Sequence, residues 1–494
     1  MSRERKLVFD AGRLFLFGLL ASAFGYLIRI ILSRQMSLED FGLFYSVFTF
    51  VGFFIVFRDF GLSSALMKFI PEFLVKQELG KVKSSIKFVI SINLAVSLVI
   101  ALLFIFLSNF LVKNYFGNEL AKPLLFIMAI YFVLYSLYRV LMNIFVGFQR
   151  SEFYSLDLFF INFFVLIGLF VFSKFGILSP AISYVIAAFM GIVFGFFVLI
   201  KLFDFFGTKC DFSGSLRKGL FNYGFPLLLA SFGYIVIGQI DVMMLTKFRT
   251  LAEVGVYSVV LPTAMLLITI GSSLAEVMIP FVSEYWAAKK FERLKKVIEE
   301  TYQKAFIFII PISLVLLVFS DFVITILFGS DFMFGSNALR ILSLGSIFFS
   351  VATINNSIIS AIGKPKVVTK IILVAAVLNV ILNLLLIPPY GLIGAAIATT
   401  VAYLFVLLFS LYFVQRIIKV KLPIFDWIKT VFAGILFVVV GDFLRINLEM
   451  NLWLELFIIL VVCILVYLLL LSVMKVVNLR KNISSFVNLV KARL

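Results

Sequence analysis

The sequence predicts an all-α polytopic membrane protein with about fourteen transmembrane helices, built as two parallel-repeat six-helix bundles followed by two additional C-terminal helices. Three observations predict it. Of the 494 residues, 63% are hydrophobic and only 14% are charged, with a mean hydropathy of +1.18, whereas soluble globular chains carry about 25% charged residues. Apolar runs recur along the whole chain, many of them reaching the roughly 20 residues that a bilayer-crossing helix needs. Several short blocks also occur twice, at separations of roughly 210 residues.

Taken in order, the basic start MSRERKLVFDAGR leads into a first apolar run, Leu14 to Ser33, long enough to span by itself and expected to be retained rather than cleaved. Further runs centre near residues 50, 98, 134, 164 and 191, then near 233, 267, 316, 350, 377 and 404, and last near 437 and 464. The loops between them are short, roughly 4 to 20 residues, which leaves no room for a soluble domain. Span 2 reads as one long helix over residues 43–75, with Arg58 about halfway, because Ala65, Leu66, Phe69, Ile70 and Phe73 recur at helical spacing. The segment SEYWAAKKFERLKKVIEETYQK reads as a basic amphipathic helix lying on the inner leaflet. So does the tail, where Val476, Leu479, Ile483, Phe486, Val490 and Leu494 share a face.

Charge distribution orients the chain. With a cytoplasmic N-terminus, loops such as KQELGKVKSSIK, GTKCDFSGSLRKG and GKPKVVTK fall inside. Roughly three quarters of the Lys and Arg then face the cytoplasm, as the positive-inside rule expects. An even number of spans returns the C-terminus to the same side, giving a multi-pass protein of the cell (cytoplasmic) membrane. The net charge of +18 is explained by this topology and calls for no nucleic-acid partner. The two cysteines, Cys210 and Cys463, have no metal-ligand spacing, and the absence of histidine removes the commonest metal ligand and neutral-pH acid–base group.

The repeated blocks define the organisation. LLASAFGYLIR (Leu19 to Arg29) pairs with LLLASFGYIVIG (Leu227 to Gly238), and SLEDFGLFYSV (Ser37 to Val47) pairs with TLAEVGVYSVV (Thr250 to Val260). GLSSALMKFIPEF matches GSSLAEVMIPFVSEY, and FGILSPAISYVIA matches YGLIGAAIATTVAYL. Two six-helix halves follow, residues 1–207 and 208–420. Residues 421–474 add two spans outside the repeat, and residues 475–494 form the cytoplasmic tail. Each half holds an even number of spans, so the halves are parallel repeats with a cavity expected between them.

These blocks resemble the multidrug/oligosaccharidyl-lipid/polysaccharide (MOP) exporter superfamily, and within it the polysaccharide or O-antigen flippases of the Wzx type. The resemblance rests on SLEDFGLFYSV, RDFGLSSALMKFIPEF, GFQRSEFYS and LNLLLIPPYGLIGAAIATTVAYL. It implies a transporter that flips a lipid-linked, pyrophosphate-bearing oligosaccharide from the cytoplasmic to the external leaflet by alternating access, for surface polysaccharide or glycan biosynthesis. The implied partners are a polyprenyl- or dolichyl-linked oligosaccharide, membrane lipids and glycan-biosynthesis membrane proteins, with the chain acting as a monomer. No cofactor or metal is implied, though transport coupled to sodium, protons or the membrane potential is. Physics requires such a device, because a sugar pyrophosphate cannot cross hydrocarbon without a polar path.

Ionisable residues inside spans are rare and face a cavity or a partner. Here they are Arg29, Arg58, Asp59, Arg139, Asp157, Asp241 and Glu276. The related lipid II flippases carry cavity-facing arginines in spans 1 and 2. Aligning their span 2 proline with Pro71 brings these near Arg29 and Arg58, which the resemblance therefore marks as pyrophosphate contacts, a task that suits the bidentate guanidinium fork. Those relatives carry a further basic residue in span 8, where this chain has Glu276. Structural pairing is the competing role: Arg58 and Asp59 would point about 100° apart on a helix, leaving Arg29 to tie to Asp241 or Asp59. Asp59, Asp241 and Glu276 are candidates for ion pairing or ion coupling. Arg139 is expected to snorkel to the inner interface, and Asp157 to complement a helix N-terminus.

A MATE-like drug or cation antiporter of the same superfamily is the nearest rival, but arginines in the presumed cavity favour an anionic cargo. A membrane-embedded glycan enzyme is further away, because the sequence offers no catalytic constellation, no DxD and no large loop.

Overall fold

The computed structural model describes residues 3–205, 207–212, 214–447 and 452–476. The expected amphipathic tail falls outside these residues apart from its first two positions. Sixteen α-helices follow one another: α1 (Arg3–Gln35), α2 (Leu38–Phe53), α3 (Leu62–Val75), α4 (Leu79–Phe106), α5 (Ser108–Leu111), α6 (Ala121–Gly147), α7 (Ser151–Val171) and α8 (Leu178–Leu202) come first. Then come α9 (Gly214–Phe248), α10 (Leu251–Ala287), α11 (Phe291–Val318), α12 (Ser320–Phe328), α13 (Ser336–Ala361), α14 (Pro365–Ile418), α15 (Ile424–Asn447) and α16 (Leu452–Val473). No strand occurs among the described residues, and eleven helical segments are long and apolar enough to cross a membrane. The expected all-α polytopic class is the observed one. One of the eleven is α14, whose 54 residues would run to about 80 Å at 1.5 Å per residue. It is broken at Gly391, where φ is 57° and ψ is −133°, just after Pro388 and Pro389.

Helix starts repeat along with the sequence. Ser37 caps α2 by accepting a hydrogen bond from the Asp40 N–H at 3.1 Å, and Thr250 accepts one from the Glu253 N–H at 3.3 Å at the start of α10. One turn later Gly42 and Gly255 lie against each other. A Cβ on Gly42 would strike the Leu251 carbonyl oxygen, and one on Gly255 would come within 2.7 Å of the Leu38 carbonyl oxygen. Leu38 and Leu251, like Gly42 and Gly255, hold equivalent places in the two copies of the block. The contact is therefore self-complementary, and only glycine permits so close a backbone approach.

Two compact units form. The first comprises residues 1–259, 325–333 and 376–395. Its centre is α6, which packs against α2, α3, α4 and α8, while α7 lies between α1 and α8. Leu66 and Ile70 of α3, Ile86 of α4, Leu141 and Phe145 of α6 and Leu220 of α9 share one buried apolar cluster. The second unit comprises residues 260–324, 334–375 and 396–494. There α11 packs on α13 and α15, and α15 on α16. The Tyr302 hydroxyl donates to Asn355 Oδ1 at 2.5 Å, and Asn355 Nδ2 donates to Ser410 at 3.1 Å.

Two helical expectations need correction. Residues 43–75 are not one helix: α2 and α3 are separated by a tight 3-10 turn at Phe54–Phe57 and a sharp bend at residues 58–61. The basic segment after Ser283 is not one surface helix either. It breaks at residues 288–290, where Lys289 adopts φ 55°, and its second part opens α11. There Leu294, Ile298, Tyr302 and Ala305 are buried in the second unit's core, so the amphipathic face is covered by protein.

Candidate substrate-binding site

The site is built by the break between α2 and α3, and the break follows from the four residues Arg58-Asp59-Phe60-Gly61. Asp59 is a strong capping residue followed two positions later by glycine, a pairing suited to a tight turn. Its carboxylate accepts from the Gly61 N–H at 3.0 Å and the Ser63 N–H at 3.2 Å, while its carbonyl accepts from the Leu62 N–H at 3.0 Å. Phe60 and Gly61 both take left-handed backbone, φ 52° and 80°. Gly61 also lies directly on the Gly224 carbonyl of α9, where a Cβ would collide. Helix α3 thus starts on a buried carboxylate, which complements its N-terminal dipole.

The bend turns Arg58 into a cavity of about 480 Å³ within the first unit. Helix α2 contributes Phe48 and Gly52, α3 contributes Ser63 and Ser64, α6 contributes Tyr131, Tyr135, Arg139 and Asn143, and α9 contributes Ser231 and Gln239. Arg58 and Asp59 are in ionic contact, Nε to Oδ2 3.7 Å, with side-chain exposures of 12% and 3%. The bend, rather than helical spacing, sets their directions, so the expectation that these neighbours could not neutralise each other is corrected. Yet Asp59 is committed to two backbone N–H groups, and it is the sole carboxylate among the lining residues. Arg58 otherwise reaches the Ile55 carbonyl and Ser63 Oγ only at 3.5 Å, and its Nε has no hydrogen-bond partner. Donor capacity of the guanidinium remains unspent.

Arg139 does not snorkel away. It lines the same cavity, close enough to Arg58 for the two cations to repel, with the Tyr154 hydroxyl against it. Asn143 Nδ2 donates to Ser63 Oγ at 3.0 Å, and the buried Gln239 Oε1 has no partner. The arrangement offers two guanidinium groups, amides and hydroxyls to a guest, which suits an anion with several acceptor oxygens.

The other sequence-selected residues lie elsewhere. Arg29 is not brought to Arg58: its guanidinium sits 4.7 Å over the Tyr45 ring and is not among the cavity's lining residues. Among the described residues it makes no ion pair, so the expected tie to Asp241 or Asp59 is replaced by a cation–π contact. Tyr45 joins an aromatic cluster with Phe48 and Tyr184 that adjoins the cavity. Asp241, fully buried, accepts from the Tyr257 hydroxyl and from Asn383 Nδ2, each at 2.6 Å, and Asn383 Nδ2 also reaches Asn379 Oδ1 at 3.2 Å. Glu276, in the second unit, is exposed and makes no hydrogen bond or ion pair among the described residues. Asp157 lies in α7, and its side chain is outside the described residues. Sequence reasoning missed Tyr131, Tyr135 and Asn143, and misplaced Arg139. Their spacing of four was the available signal, since it stacks all four on one face of α6.

Comparison with known proteins identifies the chain. The profile of the polysaccharide biosynthesis protein family matches residues 7–286, more than half of the sequence. The chain belongs to the polysaccharide biosynthesis protein family. A second profile, MatE, matches residues 226–385 of this family member, in keeping with the MOP superfamily. An uncharacterized membrane protein of Methanocaldococcus jannaschii is 31% identical over 97% of both chains. A probable low-salt glycan biosynthesis flippase of Haloferax volcanii is 27% identical over 44% of this chain and 48% of its own length. Among solved structures, a lipid II flippase in an inward closed conformation matches with a TM-score of 0.72 at 20% identity, covering 93% of this chain and 98% of that one. An inward-facing multidrug transporter of the MOP superfamily matches with a TM-score of 0.69 at 15% identity, covering 81% and 96%. Those two structures establish the shared fold.

Proposed function

We propose that this protein flips a lipid-linked oligosaccharide, joined to its lipid through a diphosphate, from the cytoplasmic to the external leaflet by alternating access. The observation that carries this reading is the cavity in which Arg58 and Arg139 converge while their sole lining carboxylate is occupied by the start of α3. A cation cargo would be repelled there, which disfavours a drug or cation antiporter despite the MatE match. The named glycan flippase relative supports a transporter rather than an enzyme.

The reading includes fourteen crossings, with α14 counted twice and α1 and α16 added to the helices long enough by themselves. It keeps both termini in the cytoplasm, repeat halves at residues 1–207 and 208–420, and a monomeric chain in the cell membrane. Asp241, Tyr257 and Asn383 supply the coupling site for sodium or protons, because a buried carboxylate can gain or lose a cation as the bundle moves. The test is deletion of the gene followed by leaflet-specific labelling. Accumulation of inward-facing lipid-linked glycan is expected, rescued by the wild type and not by Arg58→Ala. Undiminished outward glycan without the protein would refute the proposal.

A further inference from the structure

The cavity continues. A second, more open recess of about 570 Å³ lies between α3 and α9 and shares Ser64, Leu227 and Ser231 with the first. Its remaining walls are Met67, Lys68, Tyr223, Ala230 and Tyr234. Each cavity has the size of a single small-molecule site. A ligand that fills the first with its diphosphate therefore has room beyond Ser231 for a second group of similar bulk.

The chemistry of this extension differs from that of the diphosphate cavity. Lys68 is one helical turn past Ser64, and its ammonium lies 4.5 Å over the Tyr223 ring and 4.9 Å over the Phe69 ring. The nearby carboxylate of Glu72 is engaged by Lys76 at 2.7 Å instead. Lysine presents a compact point charge rather than a planar fork, so it suits one carboxylate or sulfate better than a chelated diphosphate. Tyr223 and Tyr234 are 38% and 43% exposed, and such half-covered rings offer an apolar face with a polar edge to a ligand. Ser64 and Ser231 add hydroxyls at the junction. A lysine, two tyrosine faces and two serines form a lining for a charged, hydroxyl-rich ring.

We propose that this extension is a glycan subsite, selective for an acidic sugar, a uronate or a sulfated ring, near the lipid-linked end of the oligosaccharide. The proposal rests on the diphosphate reading of the adjoining cavity. With the proposed topology, α3 runs from the Arg58 bend toward the basic segment at residues 76–87, so the subsite lies on the side from which a newly assembled glycan enters. Acidic sugar and anionic phospholipid headgroup share the chemistry that Lys68 would recognise. Continuity with the diphosphate cavity favours the sugar.

The experiment uses the full chain in nanodiscs of neutral lipid and three probes: a polyprenyl diphosphate, the same lipid carrying a disaccharide that ends in glucuronate, and its neutral glucose counterpart. A charge-assisted contact at Lys68 should make the glucuronate probe bind about tenfold or more tighter than the neutral one. Lys68→Gln should bring that ratio to about one while leaving binding of polyprenyl diphosphate alone unchanged. Tyr223→Phe should keep the preference and Tyr223→Ala should lose it. A wild-type ratio of one, or a preference that survives Lys68→Gln, overturns the subsite. So does loss of the Lys68-dependent signal when anionic phospholipid is added at low mole fraction, which would assign the charge to lipid. The diphosphate reading has its own arm: Arg58→Ala with Arg139→Ala should abolish binding of bare polyprenyl diphosphate. Full retention there would refute the diphosphate reading and the subsite that rests on it, whereas loss of the glucuronate preference alone refutes only the subsite.

Discussion

Replacing Asp59 separates its structural role from its charge. The carboxylate is buried and accepts two backbone N–H groups at the start of α3, at 3.0 and 3.2 Å. Loss of a helix cap costs about 0.5–2 kcal/mol, and a carboxylate at a partly buried helix N-terminus contributes up to about 2 kcal/mol more. Asp59→Ala should therefore destabilise the protein by up to about 4 kcal/mol. Asp59→Asn keeps an oxygen to cap with and should lose only the charge-dependent part, up to about 2 kcal/mol by the same dipole estimate. Thermal unfolding in detergent can be followed through Cys463, which is buried, with a thiol-reactive dye on a Cys210→Ser background, because Cys210 is exposed. The expected order of midpoints is wild type, then Asn, then Ala. An alanine variant as stable as wild type would refute the capping argument. An asparagine variant as unstable as alanine would show that charge neutralisation of Arg58, not capping, is what Asp59 supplies.

Three further outcomes are expected. Gly42→Ala forces a Cβ onto the Leu251 carbonyl, backbone against backbone, and overpacking of this kind costs about 1–3 kcal/mol; the same dye assay should show a lowered midpoint, with Gly255→Ala similar. Arg139→Ala should weaken binding of polyprenyl diphosphate by about 10- to 100-fold, the size of a lost charge-assisted hydrogen bond, and unaltered binding would remove Arg139 from the site. Asp241→Asn should abolish any sodium or proton dependence of transport in proteoliposomes while leaving a folded protein, and transport indistinguishable from wild type would dismiss the coupling role.

The spans were legible because the signal for a membrane helix is compositional and spread over about 20 residues. The two matched blocks have a local reason to recur: Ser37 and Thr250, like Gly42 and Gly255, stand where capping and close backbone approach admit few residue types. The site was half legible. Arg58 stands out as a charge in an apolar run, whereas the depth of Arg139 along α6 points to the interface and only its helix face points to the cavity. Tyr131, Tyr135, Arg139 and Asn143 are separated by four residues each, and that row marks the cavity side of the helix better than depth does. Arg29 was paired with Arg58 by family likeness, whereas its position over Tyr45 depends on packing that no local pattern encodes.

The least legible feature, the break at Arg58, also follows from a constraint visible in retrospect. Irregular backbone at membrane depth survives only where it is buried in protein or lines a water-filled cavity, because lipid cannot satisfy its N–H and C=O groups. The sequence Arg-Asp-Phe-Gly within an apolar run combines a strong cap with a residue free to adopt positive φ. Asp59 and Gly61 both disfavour a continuous helix there. Given a break, the charges fall in their complementary places: Asp59 at the start of α3, where orphan N–H groups point, and Arg58 just after the turn that ends at Phe57, beside the Ile55 carbonyl. The break then lies where such backbone is tolerated, buried in protein beside the cavity, and the second-half counterpart, GSSLAEVMIPF within the unbroken α10, lacks both the pair and the bend. The same four residues thus set the backbone, the cavity and the cation that faces into it.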